Sequence, residues 1–284
     1  MIAVSGPFVL ANGALILAQA GQVALPARGV PEPLTRLGSG RRALVASGVV
    51  LGFVVAGALG PGVATALSRL ALVAVPLLAA AALGWGARGA KPVDVLLAPL
   101  LLALAWWRAG RLSGDAAAAV LSALSCVTLG RLLAGVVRSG WLKAGLLVWA
   151  AYDAVTVFGS PGRSPDATVD AAVPAVGLPQ LQWLDLHAAS LGYADVFVAA
   201  VLGGVLAAEG RRAWPVALLV LAFSIAFDAL FLAFDTLPAT VPVALALLVS
   251  ESRRRSGLAP IRQRPVTTHA PGGQLEAEAR RRPG

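Results

Sequence analysis

Charged and reactive side chains are scarce in this sequence. Only 13% of its 284 residues are charged, and it holds one cysteine, two histidines and two lysines, Lys91 and Lys143. A single cysteine, Cys126, excludes a disulfide within the chain. The histidines, His187 and His269, lie far apart, and the sequence has no metal-ligand spacing, phosphate-binding loop, dinucleotide fingerprint or Gly-x-Ser-x-Gly elbow. We therefore expect no metal, no cofactor and no nucleic-acid partner.

Apolar residues dominate instead. They make up 58% of the chain, and the mean hydropathy is +0.79, which is typical of a polytopic membrane protein. A helix needs about 20 mostly apolar residues to cross the hydrocarbon core. We therefore predict an all-α membrane domain over residues 1–250, with nine transmembrane helices near 3–24, 43–60, 62–84, 92–107, 115–137, 141–159, 186–208, 213–234 and 236–250. The Ala-, Gly-, Leu- and Arg-rich composition suggests a bacterial plasma membrane.

The basic residues predict an orientation. If the N-terminus lies outside, only Arg108, Arg111 and Arg163 fall in outer loops, and the other basic loop residues lie inside. We therefore predict an outer N-terminus and an inner C-terminus. Residues 251–284 are rich in Arg, Pro and Gly, so we expect a disordered cytoplasmic tail that attracts anionic lipids.

Three aspartates, Asp153, Asp195 and Asp228, lie deep inside predicted spans, where an ionised carboxylate is costly. At ~1.5 Å per residue, Asp153 lies roughly 9 Å from the outer end of span six and Asp195 about 13 Å from that of span seven. Consecutive antiparallel spans bring such residues together. A close carboxyl pair shares a proton and suits aspartic hydrolysis. A structural hydrogen bond, a proton path or an ion site remain alternatives for each aspartate.

Asp228 lies at a similar depth in span eight, among Phe, Ile, Ala and Leu. We interpret it as a structural hydrogen-bonding residue or a group behind the catalytic pair, with membership of the pair as the alternative. The only tyrosines, Tyr152 and Tyr193, lie within two residues of the other two aspartates. A phenol is a donor that tolerates the membrane. The small residues Gly192 and Ala194 allow another backbone to approach closely.

The ninth predicted span is short, with ~22 Å of helix, so its outer end is expected at about the depth of the aspartates. Pro238 is placed to start this helix. Its free N–H groups and positive dipole end would then point towards a carboxylate site. A tilted or mismatched helix with an ordinary proline start is the alternative.

Together these residues resemble a known family. Tyr-Asp in span six, Gly-x-x-Asp in span seven and Pro-Ala-x at span nine are similar to the motifs of the intramembrane aspartyl proteases, the presenilin and signal peptide peptidase family. That family carries Tyr-Asp, Gly-x-Gly-Asp and Pro-Ala-Leu on nine spans, and the resemblance covers roughly residues 145–250. It implies that Asp153 and Asp195 are the catalytic pair. It also implies a group of residues that shape the site, namely Tyr152, Gly192, Tyr193, Ala194, Pro238, Ala239 and Thr240.

Two residues depart from the family pattern. Ala194 occupies the position of the second glycine in the family's Gly-x-Gly-Asp motif and adds a methyl group. Thr240 occupies the position of the leucine in the Pro-Ala-Leu motif and adds a hydroxyl. The resemblance implies cleavage of peptide bonds within transmembrane helices. With the predicted orientation, it implies substrates that run N-in and C-out, such as remnant signal peptides. A proton- or ion-coupled transporter, a protease of the prepilin peptidase type and an inactive homologue remain alternatives, and the oligomeric state is left open.

Overall fold

The computed structural model describes residues 6–29, 61–159, 178–181, 183–232, 234 and 237–256. Within these residues the protein is mostly helical, with eight α-helices. They are α1 (Gly6–Ala24), α2 (Pro61–Ala81), α3 (Leu97–Trp107), α4 (Leu112–Val136), α5 (Ser139–Gly159), α6 (Tyr193–Ala208), α7 (Trp214–Asp228) and α8 (Val241–Arg255). A π-helical turn, Ala82–Gly86, extends α2, and two 3-10 turns, Pro92–Leu96 and Ala229–Leu232, precede α3 and follow α7. Strands β1 (Trp183–Asp185) and β2 (Ser190–Gly192) form an antiparallel hairpin.

Five helical segments in the described residues are long and apolar enough to cross a membrane: Gly6–Ala24, Arg69–Gly86, Leu112–Val136, Ser139–Gly159 and Trp214–Phe231. Two shorter apolar helices, Pro92–Trp107 and Tyr193–Ala208, accompany them. A mostly helical fold with candidate membrane-spanning helices, as predicted, is therefore confirmed. The predicted span 43–60 lies outside the described residues, and nine spans and the orientation stay predictions.

Helix α6 lies at the centre of the fold. Its side chains are buried from Val198 to Ala207, as expected of a helix that is apolar all round. Small residues bring its neighbours close. A Cβ built on Gly130 of α4 would lie 2.5 Å from the Ala200 carbonyl, and one built on Gly203 would lie 2.5 Å from the Gln22 carbonyl of α1. Such close backbone approach is how membrane helices gain packing without large side chains.

Helix α1 turns a polar stripe inward. Gln19 and Gln22 are buried together with Leu15, Ile16 and Val23, whereas Val9, Leu10 and Leu17 are exposed. Lipid cannot satisfy the hydrogen bonds of an amide side chain, so such residues face other helices. Helix α1 packs against α6 and α7.

The predicted span 186–208 was wrong at its start. Helix α6 begins at Tyr193, and the residues before it form the hairpin, in which Trp183 pairs with Gly192. The turn is stabilised because His187, at φ 62°, donates its N–H to the Asp185 carboxylate at 2.8 Å. Cross-strand hydrogen bonds thus satisfy backbone groups that a longer helix would have paired. Asp195 consequently lies in the first turn of α6 rather than deep inside a span.

The start of the last predicted span also differs. Helix α8 begins at Val241, and Pro238 to Thr240 form a turn before it, with the Val241 N–H donating to the Pro238 carbonyl at 3.3 Å. Pro242, not Pro238, therefore occupies the first turn of the helix. The chain divides into two compact units, Met1–Ser250 and Glu251–Gly284. In the second unit residues 251–255 are helical and Ser256 forms a turn, whereas residues 257–284 of the predicted disordered tail lie outside the described residues.

Candidate active site

Asp153 lies on the inner face of α5. Leu142, Leu146 and Ala150 are buried at a spacing of four residues, and Asp153, three positions further, continues this face and is half-buried. Tyr152 lies on the opposite side and is 58% exposed. Because adjacent helical residues point about 100° apart, α5 turns its aspartate inward and its tyrosine outward.

Thr240 holds the Asp153 carboxylate. Its hydroxyl donates to Asp153 Oδ2 at 2.6 Å, and its backbone N–H donates to the same oxygen at 3.3 Å. Thr240 is fully buried, and its carbonyl accepts the first hydrogen bond of α8, from the Ala244 N–H at 3.1 Å. Donors to an ionised acceptor form stronger hydrogen bonds than neutral pairs. The threonine that departs from the family leucine therefore has a definite contact in this protein.

Asp195 is placed by the end of the hairpin. It lies in the first turn of α6, three residues after Gly192, which directly precedes the helix and is buried. A Cβ built on Gly192 would lie 3.1 Å from Asp195 Oδ2, so a larger residue there would displace the carboxylate. Ala194, between them, is half-buried. A carboxylate in the first turn of a helix is stabilised by the positive end of the helix dipole.

Gln19 of α1 contacts both the turn before α8 and the start of α6. Gln19 Nε2 donates to the Ala239 carbonyl at 2.9 Å and to the Asp195 backbone carbonyl at 3.5 Å. The turn before α8 therefore lies next to both Asp153 and the start of α6. The sequence interpretation missed Gln19. The available signal was the spacing of Asn12, Gln19 and Gln22, which puts three amides on or near one face of an otherwise apolar helix.

Other predicted residues lie at the margins. Tyr193 shares a 2.7 Å hydrogen bond between its hydroxyl and Ser125 Oγ of α4, and Cys126 Sγ lies 3.9 Å from the Tyr193 carbonyl. Tyr193 is thus packed against α4, and Tyr152 is on the exposed face of α5. Pro238 is buried at the start of the turn that carries Ala239 and Thr240.

Asp228 contacts a different helix. Asn12 Nδ2 of α1 donates to Asp228 Oδ2 at 2.7 Å, near an edge-to-face contact of Phe8 with Phe231 whose ring centroids lie 5.6 Å apart. The carboxylate is half-buried at the C-terminal end of α7. This contact joins α1 to α7, as a structural hydrogen bond would.

In the described part of the chain, no group of three or more His, Cys, Asp or Glu side chains is placed to hold a metal ion. Comparisons with protein-family models, with curated proteins and with solved structures find no match to this chain. The function of this protein must therefore be inferred from the geometry around Asp153 and Asp195.

Proposed function

We propose that the protein is an intramembrane aspartyl protease in which Asp153 and Asp195 form the catalytic pair. One observation supports this above the others: three short motifs, distant in the chain, converge. Thr240 donates to Asp153, and Gln19 links the preceding residue, Ala239, to Asp195. These contacts bring the segments that carry Tyr-Asp, Gly-x-x-Asp and Pro-Ala-x to one place in the fold.

The chemistry follows from two carboxyls that carry one proton. The ionised partner removes a proton from the attacking water while the protonated partner donates its proton to the scissile carbonyl oxygen. The first partner then passes the proton from water to the departing amine, and the diol oxygen returns the other proton as the carbonyl re-forms. Two features stabilise the single negative charge: the donors of Thr240 on Asp153 and the first turn of α6 around Asp195. The charge is thus compensated whichever carboxyl holds the proton.

The hairpin provides a means of holding a substrate. Proteolysis requires the substrate helix to unwind, which exposes its backbone N–H and C=O groups. Strand β2 ends at Gly192, three residues before Asp195, and the edge of a short sheet can pair with an extended peptide. Tyr152, exposed next to Asp153 along α5, is available to contact the substrate.

The topology belongs to the same proposal. We propose nine spans with the N-terminus outside, in the plasma membrane of a bacterium, and substrates that run N-in and C-out, such as remnant signal peptides. The asymmetric distribution of arginine supports this orientation. The cluster Arg253–Arg255 at the end of α8 is suited to anionic lipids on the inner face.

The decisive experiment uses the purified protein in liposomes with a single-span, N-in substrate. Asp153→Asn and Asp195→Asn should each lower cleavage by about 10²-fold or more, the usual contribution of a general acid or base. Asp228→Asn is the matched control, because it neutralises another half-buried aspartate that contacts α1 instead. It should retain at least part of the activity, whereas unchanged cleavage by the Asp195→Asn variant would refute the assignment.

A proton- or ion-coupled transporter is the second candidate. Asp228 favours it, because an intramembrane carboxylate paired with an amide lies outside the proposed catalytic pair. For a transporter, Asp228→Asn would abolish ion-driven uptake into proteoliposomes, and an aspartyl-protease transition-state inhibitor would not bind.

A further inference from the structure

Gln19 is a buried amide outside every motif of the proposed site. It is 3% exposed on the inner face of α1. Its Nε2 atom carries two hydrogens, and the two acceptors within reach are the Ala239 carbonyl at 2.9 Å and the Asp195 carbonyl at 3.5 Å. One side-chain amide therefore contacts the backbone of two motif segments.

The contact with Ala239 reaches Asp153 through a single peptide group. The Ala239 carbonyl and the Thr240 N–H belong to the same planar unit. Gln19 donates to the carbonyl oxygen of that peptide group. The N–H of the same peptide group, which belongs to Thr240, donates to Asp153 Oδ2 at 3.3 Å. A hydrogen bond at one end of a peptide group restrains its plane and polarises the bond made at the other end.

We propose, building on the protease function proposed above, that Gln19 is a positioning residue that sets the placement of the two carboxyls relative to each other. It acts on Asp195 through that residue's own carbonyl and on Asp153 through the 239–240 peptide. Helix α1, which carries none of the motifs, is thereby part of the active-site architecture.

Gln22 offers a matched control for this role. It lies on the same helix, is 1% exposed, and its Oε1 atom has no hydrogen-bond partner among the described residues. Gln19→Leu and Gln22→Leu therefore make the same chemical change in equally buried surroundings. Q19L should lower kcat on the order of 10²-fold, as expected for a displaced catalytic group, with little change in KM, whereas Q22L should cleave like the wild type.

A second variant separates hydrogen bonding from packing. Glutamate at this position fills the same space, but only its protonated form has a donor. The ratio of Q19E to wild-type activity should therefore be near one at acidic pH and should fall as the pH rises. A ratio well below one at acidic pH, where the protonated glutamate keeps a donor, would overturn the proposal, as would a Q19L variant that cleaves like the wild type.

A cross-linking measurement tests the same placement without any cleavage. In a Cys126→Ala background, which removes the native thiol, Asp153→Cys and Thr240→Cys create a pair that reports the contact between α5 and the turn before α8. Adding Q19L should slow disulfide formation by roughly 2- to 10-fold, the effect of losing one typical hydrogen bond, and adding Q22L should not.

The outcomes are distinct for the two proposals. If the wild type does not cleave membrane substrates, the protease function fails, and the cross-linking rates alone decide the role of Gln19. Equal cross-linking rates in the Q19L and Q22L backgrounds would overturn that role even in a protein that cleaves. If Q19L does not fold, Gln19→Met, which fills the space of glutamine and also lacks a donor, takes its place in both assays.

Discussion

Replacement of Thr240 by valine is the sharpest single test of the site geometry. Valine keeps the branched shape of threonine and removes only the hydroxyl that donates to Asp153 at 2.6 Å. A hydrogen bond to a charged group contributes about 1.5–3 kcal/mol net. The longer bond from the Thr240 N–H, at 3.3 Å, is present in the wild type and in the valine variant alike. It therefore does not offset the loss of the hydroxyl.

Thermal unfolding in detergent and cleavage of a single-span substrate measure the consequence. For a chain of this size each kcal/mol lowers the unfolding temperature by about 2–4 °C, so we expect Thr240→Val to unfold about 3–12 °C below the wild type. If the hydroxyl also orients Asp153 for catalysis, cleavage should fall by roughly 10- to 100-fold.

Thr240→Ser provides the control, because it keeps the donor and loses only a methyl group. It should behave more like the wild type than Thr240→Val in both assays. A valine variant that unfolds and cleaves like the wild type would show that the hydroxyl does not hold Asp153, and a serine variant as impaired as valine would assign the effect to packing.

Three further substitutions follow from the structure. Gly130→Ala places a methyl group 2.5 Å from backbone atoms of α6, so it should destabilise by about 1–3 kcal/mol. Gly145→Ala, with open space around its Cβ position, should unfold at the wild-type temperature or slightly above it, because alanine is favoured over glycine inside a helix. Gly192→Ala puts a Cβ 3.1 Å from the Asp195 carboxylate. Because this methyl group would shift the carboxylate, we expect reduced cleavage with a nearly unchanged unfolding temperature. Cleavage at the wild-type rate would contradict the close contact. Asn12→Leu leaves the carboxylate of Asp228 without its 2.7 Å donor and should therefore lower the unfolding temperature more than Asp228→Asn, which keeps a polar pair; the reverse order would show that the contact does not stabilise the fold.

The long apolar helices were the most predictable part of the fold. Helices α1, α4 and α5 match predicted spans to within a few residues, because a run of about 20 apolar residues has few other stable states in a membrane protein. The region before Asp195 was not predictable in this way. Apolar residues in a hairpin and in a short helix have the same composition, and only the pairing of β1 with β2 distinguishes them.

Some features of the candidate site can be predicted from the sequence, and others cannot. The short motifs around Asp153 and Asp195, and the turn that carries Thr240, can be recognised in the sequence because each needs only adjacent residues. The role of Gln19 cannot, since its acceptors lie 176 and 220 positions away. Nothing in the local sequence of α1 specifies which carbonyls its amide will meet.

The sequence by itself determined a mostly helical fold with apolar helices long enough to cross a membrane, because the abundance of apolar residues leaves few alternatives for the backbone in lipid. It also determined which carboxylates deserve a chemical explanation, because a charge in a predicted span is costly wherever it lies. Only the tertiary structure decided that Thr240 holds Asp153, that Tyr152 faces outward, and that α1 binds the backbone on either side of the site. Those outcomes depend on how helices pack, and packing is set by contacts between residues that the chain keeps far apart.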